Sequence, residues 1–245
     1  MNNHAEYFSV PALNSSLAKK LVVSAAHGRG YMVNPPNPSP SMQLGTAAHT
    51  VVFEPHKTPF VMKQLNWTTK EGKAERELLQ ATGLPILDQG EGAAVMQIRE
   101  NVMALPEVAA AIEKGITEAP AYWEQRGVSC KARADLIHDG VIYDLKTCQD
   151  ASPRAFMSSI WKYGYHISAR HYMDGFGAKR FIFIAAETTP PYAVALYDLS
   201  DGMLAIGDQL LDVAARRYAH GLATGEWPGF GSSVMTLGTG AIPTE

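Results

Sequence analysis

Apolar and polar positions along this chain fall first into helical spacing, then into alternation, then back into helical spacing. Ser9-Val10-Pro11 reads as a helix start, serine capping and proline inside the first turn, with the helix running to about Val23 or Ser24. Residues 27–40 carry four prolines between Pro35 and Pro40 and predict a loop. Helices are expected from Met42 to Phe53, from about Thr69 to Thr82 with Gly83 as the stop, over 90–104, and over 106–114. Residues 117–147 alternate and are richer in β-formers, which predicts three strands at 118–125, 129–138 and 141–147. Helices then follow from Ser152-Pro153 to Tyr163 and over 166–176, with Gly164 between them. Strands at Phe181–Ile184 and Tyr192–Tyr197 and a long amphipathic helix from Ser200 to Ala223 complete the pattern. The order gives an α/β fold, a mixed central sheet flanked by helices, with an N-terminal helical portion. Residues 1–230 are expected to form one domain, and 231–245, Gly- and Ser-rich at its start, a loosely ordered tail.

Composition adds limits. The chain has 245 residues, 46% hydrophobic and 18% charged, enough apolar material for a substantial core. No apolar run approaches the ~18 residues of a membrane helix. The N-terminus lacks a signal-peptide pattern, and Cys130 and Cys148 read as reduced thiols, so a cytoplasmic protein is expected. Two cysteines do not supply the four thiolates of an iron–sulfur cluster. The net charge of −3 gives no general attraction for polyanions, so any contact with nucleic acid must come from local basic patches or a surface concentrated by oligomerisation. Lys70, Lys73 and Arg76 form one such patch on a helix, or simply a solvated face.

The chemistry concentrates at one hairpin. Asp139-Gly140 is a two-residue turn signal, which sets His138 opposite Val141, Asp135 opposite Asp144, and Arg133 opposite Lys146. By alternation Asp135, Asp144 and Lys146 share a face, while Val141, Tyr143 and Leu145 point into the core. Two carboxylates directly opposed in a sheet repel, and burial worsens the conflict. A divalent cation between them would relieve it, and hard oxygen donors suit Mg²⁺, with Mn²⁺ as substitute. With Lys146 beside them the set suits metal-assisted phosphodiester hydrolysis. A surface hairpin with solvated charges has the same residue pattern.

Residues 131–175, KARADLIHDGVIYDLKTCQDASPRAFMSSIWKYGYHISARHYMDG, resemble the nuclease domain of RecE-like phage and prophage exonucleases, within the PD-(D/E)XK nuclease superfamily. Gly45-Thr46-Ala47-Ala48-His49 with Glu54-Pro55, Gly72-Lys73, Glu187 with Pro190-Pro191-Tyr192, and Gly225-Glu226-Trp227-Pro228-Gly229-Phe230 extend the resemblance over nearly the whole chain. The resemblance implies a Mg²⁺-dependent exonuclease that digests one strand of linear double-stranded DNA from its 5′ end and leaves 3′ single strands for recombination. It also implies a homo-oligomeric ring, trimer or tetramer, and a single-strand annealing protein as partner. Asp135, Asp144, His49 and the Leu145 carbonyl would hold metal, and Lys146 would be the catalytic lysine. Taken alone, His49 reads as a core-edge histidine, with Val52 and Phe53 a turn away. Glu118 matches an acidic position of the family and would lie beside the metal, or be an exposed strand-end glutamate. Arg133 would grip a phosphate or pair with the acidic cluster. The family's Gln-x-x-x-Tyr helix has Ser168 and Tyr172 here, with Tyr165 on the same face; packing alone would also explain the two tyrosines. Two alternatives stand beside this one: a nuclease of single-stranded DNA, and a non-catalytic module that binds or scaffolds DNA ends.

Overall fold

The computed structural model describes Tyr7, residues 9–231 and Val234. The tail expected at 231–245 therefore falls almost wholly outside the described residues. The elements are α1 (Ser15–Val23), α2 (Ala25–Val33), α3 (Pro40–Phe53), β1 (Val61–Met62), α4 (Lys70–Ala81), β2 (Ile86–Leu87), α5 (Gln89–Met103), α6 (Pro106–Lys114), β3 (Ile116–Gln125), β4 (Val128–His138), β5 (Val141–Cys148), α7 (Pro153–Tyr163), α8 (Tyr165–Phe176), β6 (Arg180–Glu187), β7 (Val194–Asp198) and α9 (Asp201–Thr224). No helix among the described residues is long and apolar enough to cross a membrane.

The five long strands form one mixed sheet in the order β3-β4-β5-β6-β7. Neighbours are antiparallel except β5 and β6, which α7 and α8 connect as a parallel pair. β6 is buried on both faces, which is why Phe181–Ala186 reads as a continuous apolar run. Ile182, Ile184 and Ala186 join Leu136, Tyr143 and Leu145 under α3, α5 and α6. Phe181, Phe183 and Ala185 join Ala134 and Ile142 under α7 and α8. A third cluster packs α1 against α8 and α9 over Val128 and Cys130 of β4.

Two N-terminal expectations are corrected. The single helix expected from Ser9 is broken: Ser9 is helical, but α1 starts afresh at its Asn14 cap, where Asn14 Oδ1 accepts from Leu17 N at 2.9 Å. Leu13 instead bridges to Cys130, donating to Ser129 O and accepting from Lys131 N, both at 2.9 Å. It takes up backbone groups on β4 beyond the short stretch where β5 pairs. The loop expected over 27–40 is instead helix α2 as far as Val33, capped by Ser24 Oγ. Gly28, a poor helix former, is required there, since a Cβ would lie 2.3 Å from Leu21 Cδ2. The short parallel pair β1–β2 (Val61 with Ile86, Met62 with Leu87) was not foreseen, being too short to carry a period.

Both hairpins around β4 turn on two residues of positive φ, Arg126-Gly127 and Asp139-Gly140. Arg126 also ties its turn to α8 and α9 through ion pairs with Asp174 (3.1 Å), Asp212 (2.7 Å) and Asp208.

Candidate active site

α3 approaches the sheet closely because its facing residues are small. Ala47 and Ala48 are fully buried, and a Cβ on Gly45 would sit 3.2 Å from Thr147 Oγ1 of β5. This approach carries His49 to β4. Its Nε2 lies 2.9 Å from Asp135 Oδ1, and its Nδ1 lies 3.5 Å from Glu118 Oε1. The second Glu118 oxygen meets Arg133 Nε at 3.0 Å. His49, Glu118 and Asp135 each offer a ligand atom, all within 4.8 Å of one another, a group that could hold a divalent metal ion.

The sheet is interrupted at this point. The β3–β4 register runs on both sides of Glu118 and Asp135 but omits that pair, and Glu118 has φ +52°. A non-glycine residue held there costs on the order of 1–3 kcal/mol, and such strain collects at functional sites. The β4–β5 register covers His138 with Val141, Ile137 with Ile142, and Leu136 with Tyr143, as the turn predicts, and then stops. Asp135 and Asp144 would come next, but they are not ladder partners. Asp135 Oδ2 turns in and accepts from Leu145 N at 3.1 Å. The repulsion expected of a directly opposed pair is met by parting the strands.

The two aspartates have different surroundings. Burial would raise the pKa of Asp135, but the His49 charge and hydrogen bond, Lys146 and the Leu145 N–H hold it below the usual carboxylate range. Burial pushes Asp144 up against the pull of Lys146, and the Asp135 charge adds to the rise. Asp144 is 6% exposed, and its buried Oδ2 is the oxygen that pairs with the Lys146 ammonium. Burial alone would lower Lys146, but Asp144 and Asp135 outweigh it and keep the ammonium charged. His49 follows the same pattern: burial opposes the imidazolium, and Asp135, Glu118 and Asp144 raise its pKa nonetheless.

Asp144 falls outside the tight His49–Glu118–Asp135 group and faces Lys146 instead. Glu118, given only a supporting place by the sequence, falls inside it. The Leu145 carbonyl is 3.5 Å from Lys146 Nζ. Tyr165 lies under Lys146, ring centroid to Nζ 5.5 Å, and rests on Phe183 at 5.6 Å. Tyr172 packs edge-on to Phe181, and burial with the nearby Asp135 and Asp144 charges holds its hydroxyl well above the ordinary range. Ser168 is buried, but among the described residues its side chain bonds neither the acidic groups nor Lys146. Lys70, Lys73 and Arg76 stay on the exposed side of α4, with Arg76 over the Trp67 ring. Sequence reasoning missed Tyr7, whose ring takes Arg133 on its face at 5.3 Å and whose carbonyl accepts from Lys131 Nζ at 2.8 Å. No local signal marks it.

Residues 15–234 match the family described as PDDEXK-like domain of unknown function, DUF3799. The chain belongs to that family. Among solved structures, this PDDEXK-like domain is similar to a protein from Eubacterium rectale described as a "putative exonuclease". That likeness has 14% identity and a TM-score of 0.64, covering 90% of this chain and 86% of the other. It is also similar to a phage-related exonuclease from Haemophilus somnus, with 11% identity and a TM-score of 0.38 over 88% and 96% of the two chains. No curated protein matches. The first likeness shows the fold alone, and it is the nuclease fold that the resemblance of residues 131–175 implies.

Proposed function

We propose that this PDDEXK-like domain is a Mg²⁺-dependent exonuclease that hydrolyses linear double-stranded DNA from the 5′ end and leaves 3′ single strands for phage-type recombination. The observation that carries the reading is the His49–Glu118–Asp135 group set beside the buried Asp144–Lys146 pair on adjoining strands. One imidazole and several carboxylates, with ligand atoms of His49, Glu118 and Asp135 all within 4.8 Å of one another, fit a divalent ion such as Mg²⁺ or Mn²⁺. Asp135, Glu118 and His49 would hold it, with Asp144 and the Leu145 carbonyl adjoining. When bound, such an ion polarises a phosphate and lowers the pKa of a coordinated water. Lys146, kept charged by two aspartates, stabilises negative charge developing on the phosphate oxygens or orients the attacking water. Tyr165 floors the lysine, and Arg133 restrains Glu118. The family resemblance supports a ring assembly and a single-strand annealing protein that receives the product in a cytoplasmic setting, and the net charge of −3 requires that any DNA-lining surface gather its cations locally.

Digestion of linear, closed-circular and single-stranded DNA with Mg²⁺ tests the reading. Loss of linear duplex from 5′-labelled ends, with circles intact, is expected. Cleavage of circles would make the protein an endonuclease, preferential loss of single strands would change the substrate, and release of 3′ label first would reverse the polarity. Binding of DNA ends without any digestion would favour a scaffold role.

Metal binding has a pH signature. Asp144 and Glu118 have raised pKa values, so the native state holds their protons more tightly and the metal-free protein gains stability as pH falls through that range. The raised His49 contributes stability that is full below the unfolded value near ~6.5 and is lost as pH rises through the folded value. Asp135, lowered, keeps its contribution until pH falls through the unfolded carboxylate range near ~4. Thermal melts should therefore show greater stabilisation by Mg²⁺ or Mn²⁺ at pH 8 than at pH 5.5, and Asp135→Ala should remove the difference. A metal effect equal at both pH values and intact in Asp135→Ala would place the ion elsewhere.

A further inference from the structure

Lys19 of α1 is a cation that nothing in the hairpin motif indicates. Leu17, Ala18 and Leu21 fix α1 against α8 and α9, which lays the Lys19 stem across Gly164 at the α7–α8 corner. A Cβ on Gly164 would lie 3.1 Å from both Cγ and Cδ of Lys19, and Gly164 has φ +63°. The corner thus needs glycine for its backbone and for the passage of the lysine. Lys19 is half-buried, and the glycine it crosses is followed directly by Tyr165, whose ring lies 5.5 Å from Lys146 Nζ, so α1 brings this cation to the side of the Lys146–Asp144 pair. Arg133 pairs with Glu118, and Lys146 with Asp144. Lys19 has no hydrogen-bonding or ion-pairing partner among the described residues.

A desolvated cation beside a second cation, without its own counter-ion, is unfavourable in the free protein. Burial, then the Lys146 charge, draws its pKa down to about 8, which still leaves it largely charged at neutral pH. An anion lying between the two ammonium groups would satisfy both. We propose that Lys19 binds the phosphate being cleaved, holding a non-bridging oxygen on the side of the Lys146–Asp144 pair and sharing the developing charge with Lys146. The assignment rests on the nuclease reading and adds a catalytic residue from α1 to it.

Lys19→Met and Lys19→Arg in the full chain test it. The methionine keeps the stem over Gly164 and removes the charge. With linear duplex, Lys19→Met should lower kcat by about 10–100-fold, and Lys19→Arg should restore most of the loss. In EDTA, fluorescence anisotropy should show duplex binding weakened a few-fold and its salt slope reduced by about one. The melting temperature of metal-free Lys19→Met should equal or exceed that of the parent, because repulsion from Lys146 is relieved. Weakened binding with kcat retained would place Lys19 on a phosphate remote from the cleaved bond and overturn the assignment. A lowered melting temperature without rescue by arginine would make Lys19 structural and overturn it too. Unchanged kcat and binding in Lys19→Met, while the parent digests DNA, would overturn this assignment alone. A parent chain inactive on every DNA would remove the nuclease reading as well.

Discussion

Replacing Lys146 with methionine is expected to reduce metal-dependent hydrolysis of linear duplex DNA by about 10²–10³-fold or more while the protein stays folded. The fold should survive because Asp144, left without its partner, already has a raised pKa and can take a proton instead of remaining a bare buried charge. The methionine retains contact with the Tyr165 ring beneath the present ammonium. Single-turnover digestion with saturating Mg²⁺, alongside circular dichroism and a thermal melt, separates lost chemistry from lost structure. Parent-like rates in the variant would remove Lys146 from the mechanism, and with it the reason for keeping an ammonium against Asp144.

Phe183→Ala is expected to cost about 3–5 kcal/mol of stability, the range for emptying a large buried aromatic site. Phe183 is fully buried opposite Asp144 in the parallel β5–β6 ladder, between Phe156 and Phe181 and beneath Tyr165. The cavity would thus open under the aromatic floor of the catalytic lysine. Urea unfolding should show the lost stability, and the surviving activity at low temperature should fall as Tyr165 loses its support. A loss below about 1 kcal/mol would mean that α7 and α8 collapse onto the sheet without strain.

Much of this was legible along the chain because it depends on near neighbours. The Asp139-Gly140 turn set the first three β4–β5 pairs, and β6 announced its burial on both faces by its unbroken apolar run. Thr69 and Asp88 cap α4 and α5, and each accepts from a backbone N–H three residues on. Helix α2 was missed because prolines dominate 35–40 and glycines stand at 28 and 30. Gly28 is explained only by Leu21 lying across it. Glu118 was undervalued because its conformation, φ +52° at a gap in the β3–β4 ladder, leaves no trace in residue order.

Asp135, Asp144 and Lys146 were set together by the sequence itself, since a tight hairpin brings residues nine to eleven positions apart onto one sheet face. Local spacing could not say whether the opposed carboxylates would stay paired. The tertiary structure decided that the strands part, that Asp135 goes to His49 and the Leu145 N–H, and that Asp144 goes to Lys146. It also decided that Glu118 joins the acidic group and that the Lys19 stem crosses Gly164 at the α7–α8 corner. Those contacts join segments distant in the chain, and packing of small residues such as Ala47, Ala48 and Gly164, not periodicity, sets the distances between them.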